Sequence, residues 1–290
     1  MKKKVKTRKK ITLQSVIMYI LLILTALMFA TPMLFTLLSS IKTKVEIFAK
    51  PFSWPEVPQW SNYVEAWTSA NMSHYFLNSL IQAGATVIVL AIVSTMAAYV
   101  LSRFDFKCNK FLLLFFMLGM MVPVHTVLVP VSYIIGALNL KNNIPALVMI
   151  YVAFSLPFSI LVVTNFMKGV NRSLEEAALI DGATYFQIYK NVMLPMTVPA
   201  ISTISIFNFL GAWNNILFPL LFINDKNLKP IALGLLNFNG ERGSDYGPLM
   251  AAICDHSCCS ACDLPVIPGK SRRRSGSGSC ERIGMRRKIK

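Results

Sequence analysis

Charge is what this sequence has little of. Only 14% of its 290 residues are Asp, Glu, Lys or Arg, against 54% hydrophobic residues and a mean hydropathy of +0.54. Soluble domains carry roughly 25% charged residues, so the deficit excludes an ordinary soluble domain. Acidic residues are the scarcest, 13 against 29 basic ones, for a net charge of +16. The placement of that charge excludes a nucleic-acid groove, which would interleave basic and aromatic residues on one folded face. Seven Lys and Arg stand in the first ten residues, nine lie beyond residue 269, and the middle is nearly bare. Two basic ends around an apolar middle fit a polytopic membrane protein whose ends face the cytoplasm.

Cysteine is rare as well: Cys108 stands alone through residue 250, then five follow from Cys254 to Cys280. A cleavable signal peptide is not expected. The first apolar run, Val16 to Leu38, is longer than a signal h-region and no small-residue cleavage motif follows it. A phosphate loop is also missing. Gly269-Lys270-Ser271 resembles the end of one, but the glycine required five residues before Gly269 is Leu264. The chain is therefore read as a non-enzyme without a cofactor.

What it has in abundance is long apolar runs. Five can cross a hydrocarbon core of roughly 30 Å: Val16–Leu38, Phe76–Leu101, Phe111–Leu138, Asn142–Met167 and Val198–Ile223. Each is expected to be helical, because lipid offers no partner to backbone N–H and C=O groups. None contains Asp, Glu, Lys or Arg. Ion-coupled carriers keep such groups for proton or cation relay, so an external energy source is expected. The basic N-terminal arm, residues 1–15, sets the orientation. Residues 39–75 then face outside, 102–110 inside, 139–141 outside, 168–196 inside and 224–247 outside.

The 168–196 stretch is the most informative. Ser173 and Glu176 have capping-box spacing and start a helix. Ala177 and Ala178 keep one face small, Asp181-Gly182 is a turn signal, and a second segment with Phe186, Ile188 and Tyr189 follows before Pro195 and Pro199. The result is a compact knob with Phe186 or Tyr189 available to anchor in a pocket. A loop lying on the membrane surface fits these residues equally well.

Here the sequence resembles the inner-membrane permeases of binding-protein-dependent ABC importers. Their inner loop reads Glu-Ala-Ala, a Gly four residues on, and an apolar residue followed by Leu-Pro. Glu176-Ala177-Ala178, Gly182, Val192 and Leu194-Pro195 match. Asp181-Gly182-Ala183 and Pro199 fit the carbohydrate branch related to the maltose permease. So do Trp54-Pro55, Asn62-Tyr63, Asn78-Ser79, Ala97-Ala98-Tyr99, Arg103-Phe104, Pro123, Pro130 and Trp213-Asn214. The likeness covers about residues 11–252. It implies an all-α, polytopic bundle of the type I importer kind in the cell membrane, with six spans intended. It implies partners: a second permease subunit, two ATP-binding subunits and an extracellular sugar-binding protein. It also implies that Glu176, Ala177, Ala178, Asp181, Gly182, Ala183, Phe186, Leu194 and Pro195 couple the loop to the ATPase. A permease for another solute is the alternative within transport; a scaffold or receptor is the alternative outside it.

Polar residues in the spans are the candidates for a translocation path. Asn208, Trp213, Asn214 and Asn215 offer amide hydrogen bonds and a stacking face to sugar hydroxyls, although helix-to-helix hydrogen bonding is simpler for any one of them. His125, between Pro123 and Pro130, marks a broken helix beside a cavity or, the preferred reading, is a packed neutral imidazole.

The sixth span begins near Tyr246–Ala252 and then fails, since Asp255, His256, Asp263 and a Ser-Arg-Arg-Arg tract follow. Cys254, His256, Cys258, Cys259 and Cys262 have spacings that zinc can use, but a shifted reading frame explains them better. Cys, Asp and His codons and one Ser family end in a pyrimidine. Moved forward one base, that pyrimidine becomes a middle base and gives Val, Ala, Ile or Thr. The expected organisation is a basic arm over 1–15, a permease domain over 16–252 with its coupling loop at 168–196, and an aberrant tail over 253–290. The tail is read as a frameshift replacing the last span, and the chain as written as a truncated permease that inserts poorly.

Overall fold

The computed structural model describes residues 13–68, 71–240 and 243–262. Most of the basic arm and the tail from residue 263 onward lie outside the described residues. The described residues are helical nearly throughout, and the helices follow the apolar runs.

In chain order, α1 spans Leu13–Ser39, α2 Lys44–Ala49, α3 Ser61–Thr68, α4 Met72–Arg103 and α5 Asn109–Met120. Then come α6 Leu128–Ala137, α7 Ile144–Lys168, α8 Ser173–Ile180, α9 Tyr185–Ile188 and α10 Leu194–Met196. The remaining helices are α11 Val198–Trp213, α12 Leu217–Phe222, α13 Ile231–Gly234 and α14 Tyr246–Cys262. Among the described residues, the strands are one two-rung antiparallel ladder, β1 (Asn239–Gly240) with β2 (Gly243–Ser244). The fold class is all-α, as expected.

Three helices, α1, α4 and α7, are long and apolar enough to cross a membrane, and two bent pairs raise the number to five. The bends correct the sequence reading. The third run is not one rod: it breaks by 88° between α5 and a 3₁₀ turn at Val124–Val127 that continues into α6. Pro123 and Pro130 lack the N–H groups that a continuous helix would need. The fifth run stops at Trp213, and α12 is a separate helix.

Two compact units divide the chain: residues up to Ser73 together with Gly234–Ser257, and His74–Leu233. In the first, α1 exposes its apolar side chains all round. Its polar groups serve themselves, with the hydroxyls of Thr25, Thr31 and Thr36 each donating 2.8 Å back to the carbonyl four residues earlier. Such bonds let a hydroxyl enter lipid without an unmet donor. The chain after α1 folds into a tight cap. Thr43 and Glu46 make a reciprocal capping box at the start of α2, and Lys42, fully buried, donates to the Lys50 and Pro51 carbonyls at 2.8 and 3.0 Å. Asn62 donates to the Ser40 and Lys42 carbonyls. Gly247 on α14 lies so near Asn62 that an added Cβ would sit 2.7 to 2.9 Å from the amide.

The helix α14 runs past Ala252 to Cys262 but is not among the helices long and apolar enough to cross a membrane. The Asp255 carboxylate accepts a 2.6 Å hydrogen bond from the Trp67 indole N–H. Its 17 residues reach only about 25 Å at about 1.5 Å per residue.

In the second unit α4 is the central rod. Ser79, Ala83, Thr86, Leu90, Ser94 and Ala98 are buried at spacings of three and four, which puts them on one face. All but Leu90 are small. Gln82 on the same rod donates 3.2 Å to the Ala212 carbonyl of α11, and Asn208 of α11 donates 2.9 Å to the Ser159 hydroxyl of α7.

Candidate coupling loop

The 168–196 stretch is a two-helix knob set against the ends of α4 and α7. Its first helix, α8, begins at Ser173 as the sequence suggests, but not by the expected capping box. Arg172 occupies the N-cap with helical dihedrals and no side-chain cap, and the Ser173 N–H is taken by the Asn171 side chain at 3.1 Å. The chain enters already wound, so Ser173 lies inside the helix and cannot cap it. The reciprocal box sits one helix later: Thr184 caps α9 with Gln187, whose side chain accepts the Thr184 N–H at 2.8 Å.

The turn at Asp181-Gly182 closes α8 by a double hydrogen bond. Ala183 N–H reaches the Ala178 carbonyl at 2.9 Å and Gly182 N–H reaches the Leu179 carbonyl at 3.0 Å. This is the Schellman arrangement, which needs a left-handed residue after the cap. Gly182 supplies it with φ +82°. Ala178 and Ala183, joined by that bond, both pack inward.

The inner face rests on one apolar cluster. Ala98 and Tyr99 of α4, Val163 and Met167 of α7, and Ile204 of α11 are buried with Ile188 and Met193 of the knob. Five residues, Tyr189–Met193, form a π-turn between α9 and α10. Its widened backbone brings Tyr189 inward, where its ring lies 5.4 Å from that of Tyr99 and its hydroxyl 2.9 Å from that of Thr95. Tyr189 is therefore part of the knob's footing and not an external anchor. Phe186 keeps the second of the two expected positions, 65% exposed.

Electrostatics fixes the knob at its root. Arg103, the last residue of α4, forms a buried ion pair with Glu175 and donates 3.0 Å to the Val170 carbonyl. Burial raises the Glu175 carboxyl above its ordinary value, and the Arg103 charge opposes that rise only in part. Glu175 and not Glu176 is thus the carboxylate held by the fold; Glu176 and Ala177 are exposed on α8, as are Asp181 and Gly182 in the turn after it. Sequence reasoning missed this pair because its members are far apart along the chain. Leu194 is half-buried and Pro195 exposed in α10. The outward face shows Ile180, Phe186 and Tyr185.

The path candidates each have their own setting. Asn208 is spent on Ser159. Trp213 is fully buried, its ring packed against Phe76 at 5.4 Å and Phe209 at 5.5 Å. Asn214 donates to the Leu210 carbonyl, and Asn215 accepts the Phe218 N–H at the start of α12. His125 does sit in a helix break, but it is exposed and not the packed imidazole expected.

Comparison with known proteins settles the family. The profile of the binding-protein-dependent transport system inner membrane component matches residues 88–254, more than half of the chain. The chain belongs to this family. The permease is 38% identical to the diacetylchitobiose uptake system permease protein NgcG of Streptomyces coelicolor, over 82% of this chain and 79% of that one. It is 35% identical to the probable ABC transporter permease protein YurM of Bacillus subtilis, over 86% and 82%. In three dimensions it resembles a bacterial ABC transporter involved in the import of the acidic polysaccharide alginate. That likeness has a TM-score of 0.78 at 20% identity, over 87% of this chain and 94% of the other, and shows the fold. The permease is accordingly a multi-pass membrane subunit of an ABC importer.

Proposed function

We propose that this subunit lets a sugar cross the membrane when a partner ATPase closes, and that the sugar arrives on an extracellular binding protein. The observation that carries the reading is the knob: its inner face is locked to α4, α7 and α11, while Ile180 (86% exposed) and Phe186 point apolar surface outward. Exposed large apolar side chains on a rigidly footed projection suit a partner's pocket. The N-terminus and knob face the cytoplasm in this reading. A second permease, two ATP-binding subunits and the binding protein complete the machine, and ATP is hydrolysed on the separate subunits. Sugar is favoured as cargo because NgcG is named for diacetylchitobiose uptake. The test is uptake by the reassembled importer. Gly182→Ala should abolish uptake while the ATPase subunit still co-purifies; loss of neither would leave the knob without a coupling role.

We also propose that the sequence from Cys254 onward is a shifted reading of the codons for the last span. The codon arithmetic supports it, and the family match stops at residue 254. Resequencing the codons for Ala251 to Asp255 tests it: one base gained or lost restores an apolar helix, and the frame as written refutes it.

A further inference from the structure

Five cations converge on one cleft beside the knob. The cleft has a volume of about 670 Å³ and is lined by Arg103, Lys107, Lys110, Lys168 and Arg172, with Asp105 as its single acid. Arg103 is already held by Glu175. Among the described residues the other four make no ion pair within 4.0 Å, and all four are exposed. Scattered Lys and Arg are ordinary in the loops of a membrane protein. Convergence of Lys107, Lys110 and Lys168 with Arg172, whose charge also acts on Glu175, on a concave site is not, since like charges repel unless an anion gathers them.

The position of the cleft specifies the anion. Arg103 ends α4, Asn109 begins α5 and Lys168 ends α7, so the cleft lies where three membrane-crossing segments reach the interface. Leu101, Phe106 and Leu113 also line it, and along the same face of α5 the exposed Met117 and Met120, four and seven residues after Leu113, continue the apolar surface. Basic above and apolar along one flank is the complement of a phospholipid, with a phosphate at the surface and acyl chains beside a helix. A soluble anion would use the first feature and have no use for the second.

We propose that this cleft binds the phosphodiester headgroup of an anionic phospholipid and thereby braces the root of the coupling knob. Arg103 is the link: it lines the cleft and holds Glu175 on α8. The bracing role rests on the coupling function proposed above, whereas lipid binding does not. Anionic lipid in a nanodisc is present in both leaflets, so the binding test is independent of orientation.

The full chain is placed in nanodiscs of phosphatidylcholine with or without phosphatidylglycerol, and Tm is read in each. Phosphatidylglycerol should raise Tm by several degrees in the native chain, and not in Lys107→Ala/Lys110→Ala/Lys168→Ala. The corresponding triple change to Arg should retain the rise. An equal rise in the Ala variant would overturn the site. A rise of the same size from inorganic phosphate in pure phosphatidylcholine would reassign it to a free anion. Protection of the three lysines from amine labelling by the ATPase subunit, and not by phosphatidylglycerol, would give the cleft to that partner. Labelling of the exposed native Cys108 in intact cells, with Cys108→Ser as the control, reports sidedness separately, so a failure of the cytoplasmic orientation can be told from a failure of lipid binding.

Discussion

Arg103 and Glu175 form the contact whose loss should be felt most. Removing one partner of a buried ion pair leaves an uncompensated charge and costs about 3–5 kcal/mol, so Arg103→Ala should lower Tm sharply in detergent. Glu175→Gln has a pH signature. Because burial holds the Glu175 carboxyl above its ordinary value, the folded chain binds that proton more readily than the unfolded one. Folding is then penalised above the raised pKa and relieved as pH falls towards the ordinary carboxylate value. Tm of the native chain should therefore gain on Glu175→Gln between pH 8 and pH 4.5. A constant difference would mean that Arg103 fully offsets the burial. Gly182 is a second single-residue determinant: any L side chain at its φ of +82° costs about 1–2 kcal/mol, enough to loosen the Schellman closure while leaving the spans folded.

Among the elements, the extent of α8 and its Gly182 turn were legible because those signals are local, whereas the Ser173 cap was misread because Arg172 enters the helix already wound. The break in the third span was legible only as Pro123 and Pro130, since a proline marks a weak point and not an angle. The π-turn gave no signal in the sequence, although Tyr189 within it packs on Tyr99 and Thr95. For the same reason Tyr189 and Phe186 could not be told apart from sequence: both are aromatic and three residues apart, and only the widened turn sends one inward. Two predictions belong at this scale. Ile180→Asp on the exposed face should leave Tm unchanged and abolish uptake by the assembled importer; unchanged uptake would remove this face from the docking surface. Ala98→Leu on the small stripe of α4 should do the reverse, lowering Tm by overpacking worth about 1–3 kcal/mol, and unaltered stability would show that the stripe is loosely packed.

For the whole molecule, apolar runs, bare of charge, made the class of protein readable at once. The spatial partners of its polar residues were not readable, because a hydrogen bond such as Asn208 to Ser159 joins helices far apart in sequence. The proposed frame shift is tested at this scale. Restoring the frame after Ala252 should raise membrane yield and uptake together; full uptake from the chain as written would instead show that the short α14 suffices.

The joint at Thr197 has a mechanical consequence. Tyr185–Met196 meets α11 at 71°, so the arm stands nearly crosswise to the helix it feeds. A crank set at that angle turns a sideways push into torque about the axis of the next segment. Thr197 is suited to be the bearing: it is fully buried, and its hydroxyl and its N–H both return to the Met193 carbonyl, at 2.7 and 3.0 Å. Its own donors are met within the arm, while its carbonyl accepts from Ala200 and Ile201 of α11, so one residue joins lever and shaft.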